Sequence, residues 1–164
     1  MELAVTTYEL SLFMHITAAV GGLGATFAEA ITYATAVRLD PRHLPYKHSL
    51  QLAINKYLAL PALVVLLATG LYQADEAGFE LGRLWLVGAM SIVALLAVMI
   101  VAYFIPEDRR LQAIVGRDIA AFEGGEVTLS NQYLHRVRVE EVLGAVAGLL
   151  VIAAVYLMVT KPGL

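Results

Sequence analysis

A bundle of four transmembrane helices, running up and down with both termini on one side, is the all-α fold class this sequence predicts. Three observations carry that expectation. Charge is absent between Glu9 and Glu29, between Lys56 and Asp75, between Arg83 and Glu107, and between Glu141 and Lys161. Each gap approaches or exceeds the ~18 mainly apolar residues that mark a membrane-crossing helix. The chain is 60% hydrophobic and only 15% charged, with a mean hydropathy of +0.75. A soluble domain of 164 residues could not hide so much apolar surface in one core. The third observation is where the basic residues fall.

Helix one opens at Thr6-Thr7-Tyr8-Glu9, a capping box in which Glu9 reaches back to the capping residue. It is expected to run to about Arg38, with Asp40-Pro41 ending it, so over 7–38. Helix two is expected over 46–74, a polar lead-in from Tyr46 to Lys56 preceding the apolar stretch, and Pro61 should kink it. Helix three is expected over 84–105, meeting Pro106. A charged amphipathic continuation to about Phe122 should lie on the membrane surface or project from it. Helix four is expected over 131–160, closed by Pro162 and Gly163. The whole chain then forms one domain.

Lys and Arg set the orientation. Arg38, Arg42, Lys47, Lys56, Arg109, Arg110, Arg117, Arg136 and Arg138 flank the first and third connections, against Arg83 and Lys161 on the other side. The positive-inside rule then places both connections in the cytoplasm and both termini outside. The first apolar stretch has no basic residue before it and no cleavage site, which is unlike a secretory signal.

Composition also excludes chemistry. With no cysteine there is no disulfide, thiolate–metal bond or thiol nucleophile. A net charge of −3 implies no strongly charged partner, and no aromatic-interleaved basic face points to nucleic acid. The partner that composition does imply is the lipid bilayer; a second copy or another membrane protein is open.

Two helices carry stripes of small and polar residues. On helix one, His15, Ala18, Gly22, Ala25 and Glu29 recur at steps of three and four, so they share a face. On helix four, Glu141, Gly144 and Gly148 do the same and include a GxxxG pattern. The expectation is that helices one and four pack together through these faces. Helix two repeats the theme with Gln51, Asn55, Leu58, Ala62, Thr69 and Gln73, whereas Ser91 and Tyr103 are the conspicuous polar groups of helix three. Intramembrane chemistry is therefore expected on helices one, two and four.

His15 is the one histidine inside a span, and an ionisable residue there is a functional candidate. Its imidazole suits a haem iron or a proton relay, against a plain hydrogen bond to a neighbouring helix. Glu29, ~21 Å further along the same face, stands at the depth of Lys56, where an ion pair would be formed unless Lys56 reaches out to the interface. His43, His48 and His135 fall on the cytoplasmic side and read as solvated interfacial histidines; with Glu140 they offer a surface metal site that no spacing favours. His15 and His135 lie more than about 20 Å apart along the bundle and cannot ligate one iron.

Leu12-Phe13-Met14-His15-Ile16-Thr17-Ala18-Ala19-Val20-Gly21-Gly22 resembles the histidine-bearing first helix of small bacterial membrane proteins of the HemJ-like and CopD-like kind. Leu60-Pro61-Ala62, followed by Ala68-Thr69-Gly70-Leu71-Tyr72, looks like their second helix. Ile105-Pro106-Glu107-Asp108-Arg109-Arg110-Leu111 and Met158-Val159-Thr160-Lys161-Pro162 are similar to a family of bacterial integral membrane proteins of unknown function. The resemblance implies a four-helix protein of a bacterial plasma (inner) membrane. Through the HemJ-like family it implies haem b ligated by His15. The other expectations are a small transporter or channel with a polar path along His15, Glu29 and Asn55, and a non-enzymatic membrane subunit or assembly factor.

Overall fold

The structure, a computed structural model, describes residues 5–36, 39–121, 124 and 127–163. The expected helix ends at Arg38 and Phe122 lie outside the described residues. Among the described residues four helices are long and apolar enough to cross a membrane: α1 (Thr7–Ala36), α2 (Pro41–Glu76), α3 (Leu84–Ala120) and α4 (Asn131–Thr160). The Thr6–Glu9 capping box forms as written in the sequence, and Ser130 caps α4 by accepting from the Tyr133 amide. Lys161 adopts a left-handed conformation that ends α4.

The helices are not uniformly α-helical. Each of the first three contains one wide π turn, at Ala19–Leu23, Asn55–Ala59 and Ile100–Phe104. The second and third turns are each followed, two residues on, by a proline, Pro61 and Pro106. A proline lacks an N–H and clashes with the carbonyl one turn back; widening that turn removes the clash and lets the helix continue. Pro106 therefore does not end α3, which runs on to Ala120. Of the two courses expected for its continuation, the structure has the projecting one, since α3 runs on unbroken. Leu111, Ile114 and Val115 bury an apolar face against Leu44, Tyr133 and Val137, forming a second core at the basic end of the bundle.

The membrane core is built by Leu63, Leu66, Val93, Leu96, Ile100, Phe104 and Val151. At the far end Trp85 and Leu86 pack on Ala74, and Arg83 donates to the Gly163 carbonyl at 3.0 Å. Both described ends of the chain thus sit with the α2–α3 turn at one end of the bundle.

Helix α1 lies antiparallel on α2 in a fixed register. Gln73 donates to the Ser11 carbonyl and hydroxyl at 3.3 Å, His15 meets Thr69 at 2.8 Å, and Gly22 meets Ala62. Steps of four and then seven residues along α1 match the same steps backwards along α2. Two glycines make this approach close. A Cβ at Gly70 would stand 3.2 Å from the His15 ring, and one at Gly22 would overlap the Ala62 methyl. Gly144 and Gly148 behave differently, since a Cβ at either would meet nothing within 4 Å. The expected packing of α1 on α4 through Gly22, Gly144 and Gly148 is therefore corrected: the α1 stripe faces α2, because Ala62 and the bare backbone at Gly70 offer it a flatter surface.

This register generates one expectation. Gly22→Val should destabilise the protein by about 1–3 kcal/mol, the usual cost of forcing methyl groups into a filled contact. Gly144→Val should cost little. Thermal unfolding of both variants in detergent measures the difference.

Candidate functional site

The polar residues of four helices converge at the basic end of the bundle. On α2, His48, Gln51 and Asn55 fall at steps of three and four and share one face. The continuation of α3 past Pro106 brings in Glu107 and Asp108 one residue later. On α4, Tyr133, Val137, Glu140, Ala147 and Val151 are buried at helical spacing, so Glu140 belongs to the inward stripe. Glu29 arrives from α1.

His48 and Asp108 are fully buried, and Lys47, Asn55, Glu107 and Glu140 nearly so. In a membrane such groups must find partners within the protein. His48 Nε2 lies 3.0 Å from the Tyr133 hydroxyl, and its Nδ1 lies 3.5 Å from Asp108 Oδ1. Asn55 donates to Asp108 Oδ2 at 3.4 Å. Gln51 donates to Glu140 Oε1 at 3.0 Å, with the Lys47 ammonium 3.9 Å from the same oxygen. Glu107 turns the other way, to Arg136 at 2.7 Å and Arg110 at 3.4 Å. Among the described residues, Glu140 Oε2 and Glu29 Oε1 are buried without a hydrogen-bond partner.

This cluster closes one end of a cavity of ≈ 540 Å³. Glu29, Lys47, Gln51, Asn55 and Glu140 line its polar end, and Leu63, Leu96, Ile100 and Val151 its apolar back. Its mouth is a cleft between α1 and α4, rimmed by Phe27, Leu149 and Ile152, all of which are exposed on the lipid-facing surface. Gly144 and Gly148 form the α4 wall of that cleft. The small residues thus leave space where the sequence suggested a contact.

The residues singled out in the sequence separate into two groups. Glu29, Gln51 and Asn55 come together at the cavity, and Glu141 is exposed at its rim. Lys56 does not pair with Glu29; its ammonium lies 5.5 Å from the Tyr57 ring centre. Asn55 takes the inward position on that turn, and the next residue is rotated ~100° away by the helical period. Ala18 and Ala25 stay on α1's packed face, Ala25 buried and Ala18 against the membrane core.

His15 is elsewhere. The Thr69 hydroxyl donates to the Val65 carbonyl at 2.6 Å, so its oxygen accepts from His15 Nδ1–H at 2.8 Å. That arrangement leaves Nε2 with its lone pair, but His15 does not line the cavity.

Reasoning from sequence missed Lys47, Asp108 and Tyr133 and misread His48. His43 and His135 are exposed, as expected, but His48 is buried at the centre of the cluster. Asp108, and with it the chemistry of α3, was hidden because the charged continuation past Pro106 was expected to be solvated, on the membrane surface or projecting from it, and not to pack inside the bundle. The available signal was the apolar stripe Leu111, Ile114, Val115 that follows it at inward spacing.

Fold and site together define a polytopic α-helical membrane protein with a buried ionisable cluster at the end of a lipid-facing cleft. Residues 9–162 match the family described as "Predicted integral membrane protein (DUF2269)", and the chain belongs to that family. No curated protein and no solved structure matches it.

Proposed function

We propose that the protein binds a lipid-soluble amphipathic molecule in the cleft between α1 and α4. The cavity itself carries this reading. Its ≈ 540 Å³ falls within the roughly 300–1,000 Å³ typical of small-molecule sites, with apolar walls and a few convergent polar groups. Its mouth faces the bilayer, so a ligand dissolved in lipid enters sideways without crossing water. At the polar end the unpartnered Glu29 oxygen selects a head group that donates a hydrogen bond, such as a hydroxyl or an amine. Of the sequence-derived alternatives this is nearest to a carrier, with Glu29 and Asn55 at one end of an enclosed site and not along a continuous path through His15.

Gly148→Leu tests it. A side chain there meets no neighbour but fills the cleft. The organic extract of the purified wild-type protein should contain a near-stoichiometric amphipathic species that the variant lacks, at unchanged thermal stability. Identical extracts would sink the proposal.

The haem reading has its own supporting observation, the free lone pair on His15 Nε2. It expects a Soret band that shifts on reduction with dithionite and vanishes in His15→Ala. A spectrum with only the aromatic band, after expression with added haem, removes it.

We also place both termini outside the cytoplasm, on the strength of the basic residues gathered at the other end of the bundle. The chain has no native cysteine, so single cysteines report cleanly. An impermeant thiol reagent added to whole cells should label Thr6→Cys and spare Arg42→Cys; the reverse pattern inverts the topology.

A further inference from the structure

We propose that His48, Asp108 and Glu140 hold a divalent transition-metal ion. A ring nitrogen of His48 and one oxygen from each carboxylate lie within 4.8 Å of one another. All three side chains are buried, Glu140 being 5% exposed and the other two 0%.

The hydrogen bonding around them has the order of a ligand set. Each residue has one atom held by a neighbour: His48 Nε2 by the Tyr133 hydroxyl, Asp108 Oδ2 by Asn55, and Glu140 Oε1 by Gln51. The other atom of each is left over. His48 Nδ1 faces Asp108 Oδ1 at 3.5 Å, too long for a good hydrogen bond, and Glu140 Oε2 has no partner among the described residues. Metal-binding side chains are held in this way, the outer atom fixed by a second residue so that the inner one is aimed.

The spacing agrees. Two donors each ~2.1 Å from a common ion, and as far apart as His48 Nδ1 and Asp108 Oδ1, subtend about 110°, near the tetrahedral angle of zinc sites. One imidazole and two carboxylates suit zinc or manganese better than the soft, thiolate-loving metals. Charge agrees as well. Asp108 and Glu140 are two carboxyl groups brought together in a buried site with one ammonium, Lys47, beside them, and a cation between them would stabilise both in their charged form. Of the three ligands Glu140 also lines the cavity, so the proposed ion would sit beside the polar end of the cleft.

The ion does not depend on the cleft's organic ligand, and its test is independent of it. The full chain, purified in detergent and stripped with a chelator, is dialysed against zinc alone or manganese alone, and bound metal is counted by mass spectrometry. About one ion per chain is expected. Asp108→Asn and Glu140→Gln should each weaken binding at least ~100-fold. Tyr133→Phe, which keeps the ring and its packing, should weaken it by roughly 10–100-fold by releasing His48. The double variant His43→Ala, His135→Ala should bind as wild type. Circular dichroism confirms that each variant is folded, and should the carboxylate variants not fold, Tyr133→Phe decides. Failure of both metals to bind the wild type overturns the proposal. So does Tyr133→Phe binding within twofold of wild type, or loss of the metal in the surface-histidine double variant.

Discussion

A carboxylate taken out of water has to find its partners inside the protein, and inside a membrane there is no ordered solvent shell to fall back on. The basic end of this bundle is organised by that requirement. Asp108 and Glu140 come from different helices, and the side chains that satisfy them, Asn55 and Gln51, come from a third. Removing any one of these helices leaves a buried polar group without its partner. The cluster therefore fixes the mutual rotation of α2, α3 and α4 more sharply than apolar packing does, because Leu on Leu tolerates sliding and a hydrogen bond does not.

The π turns make the cluster possible. Without the wide turns before Pro61 and Pro106, α2 would be bent sharply and α3 would stop at the membrane boundary. With them, both helices stay continuous and carry a second apolar core beyond the polar layer. Asp108 consequently sits between two hydrophobic cores, shielded on both sides. That explains how residues so close to a run of arginines can be so deeply buried.

Much of the fold was legible in the sequence because a bilayer allows so few solutions. Uncharged gaps of sufficient length can only be helices, and the capping residues at Thr6 and Ser130 mark where two of them begin. The stripes on α1 and α2 were legible too, but not their pairing. Small residues announce that something comes close without saying what, and Gly22 and Gly148 look alike until one proves to be a contact and the other a space. The site was harder to read. Burial of His48 depends on a chain segment 60 residues away continuing as helix, and neither proline context nor local charge revealed it. A run such as Glu107-Asp108-Arg109-Arg110 reads as surface, although two of its residues point inward and two outward by ordinary helical rotation.

The lengths of the helices have a consequence of their own. At ~1.5 Å per residue, α2 and α3 are roughly 54–56 Å long, against a hydrocarbon layer of about 30 Å. Asn55 and Asp108 stand 21 and 24 residues from the far ends of α2 and α3, so the cluster lies ~32–36 Å from that end, about one hydrocarbon thickness along the bundle. The second apolar core stands between the cluster and the water, so the open side of the site, among the described residues, is the cleft flanked by Phe27, Leu149 and Ile152.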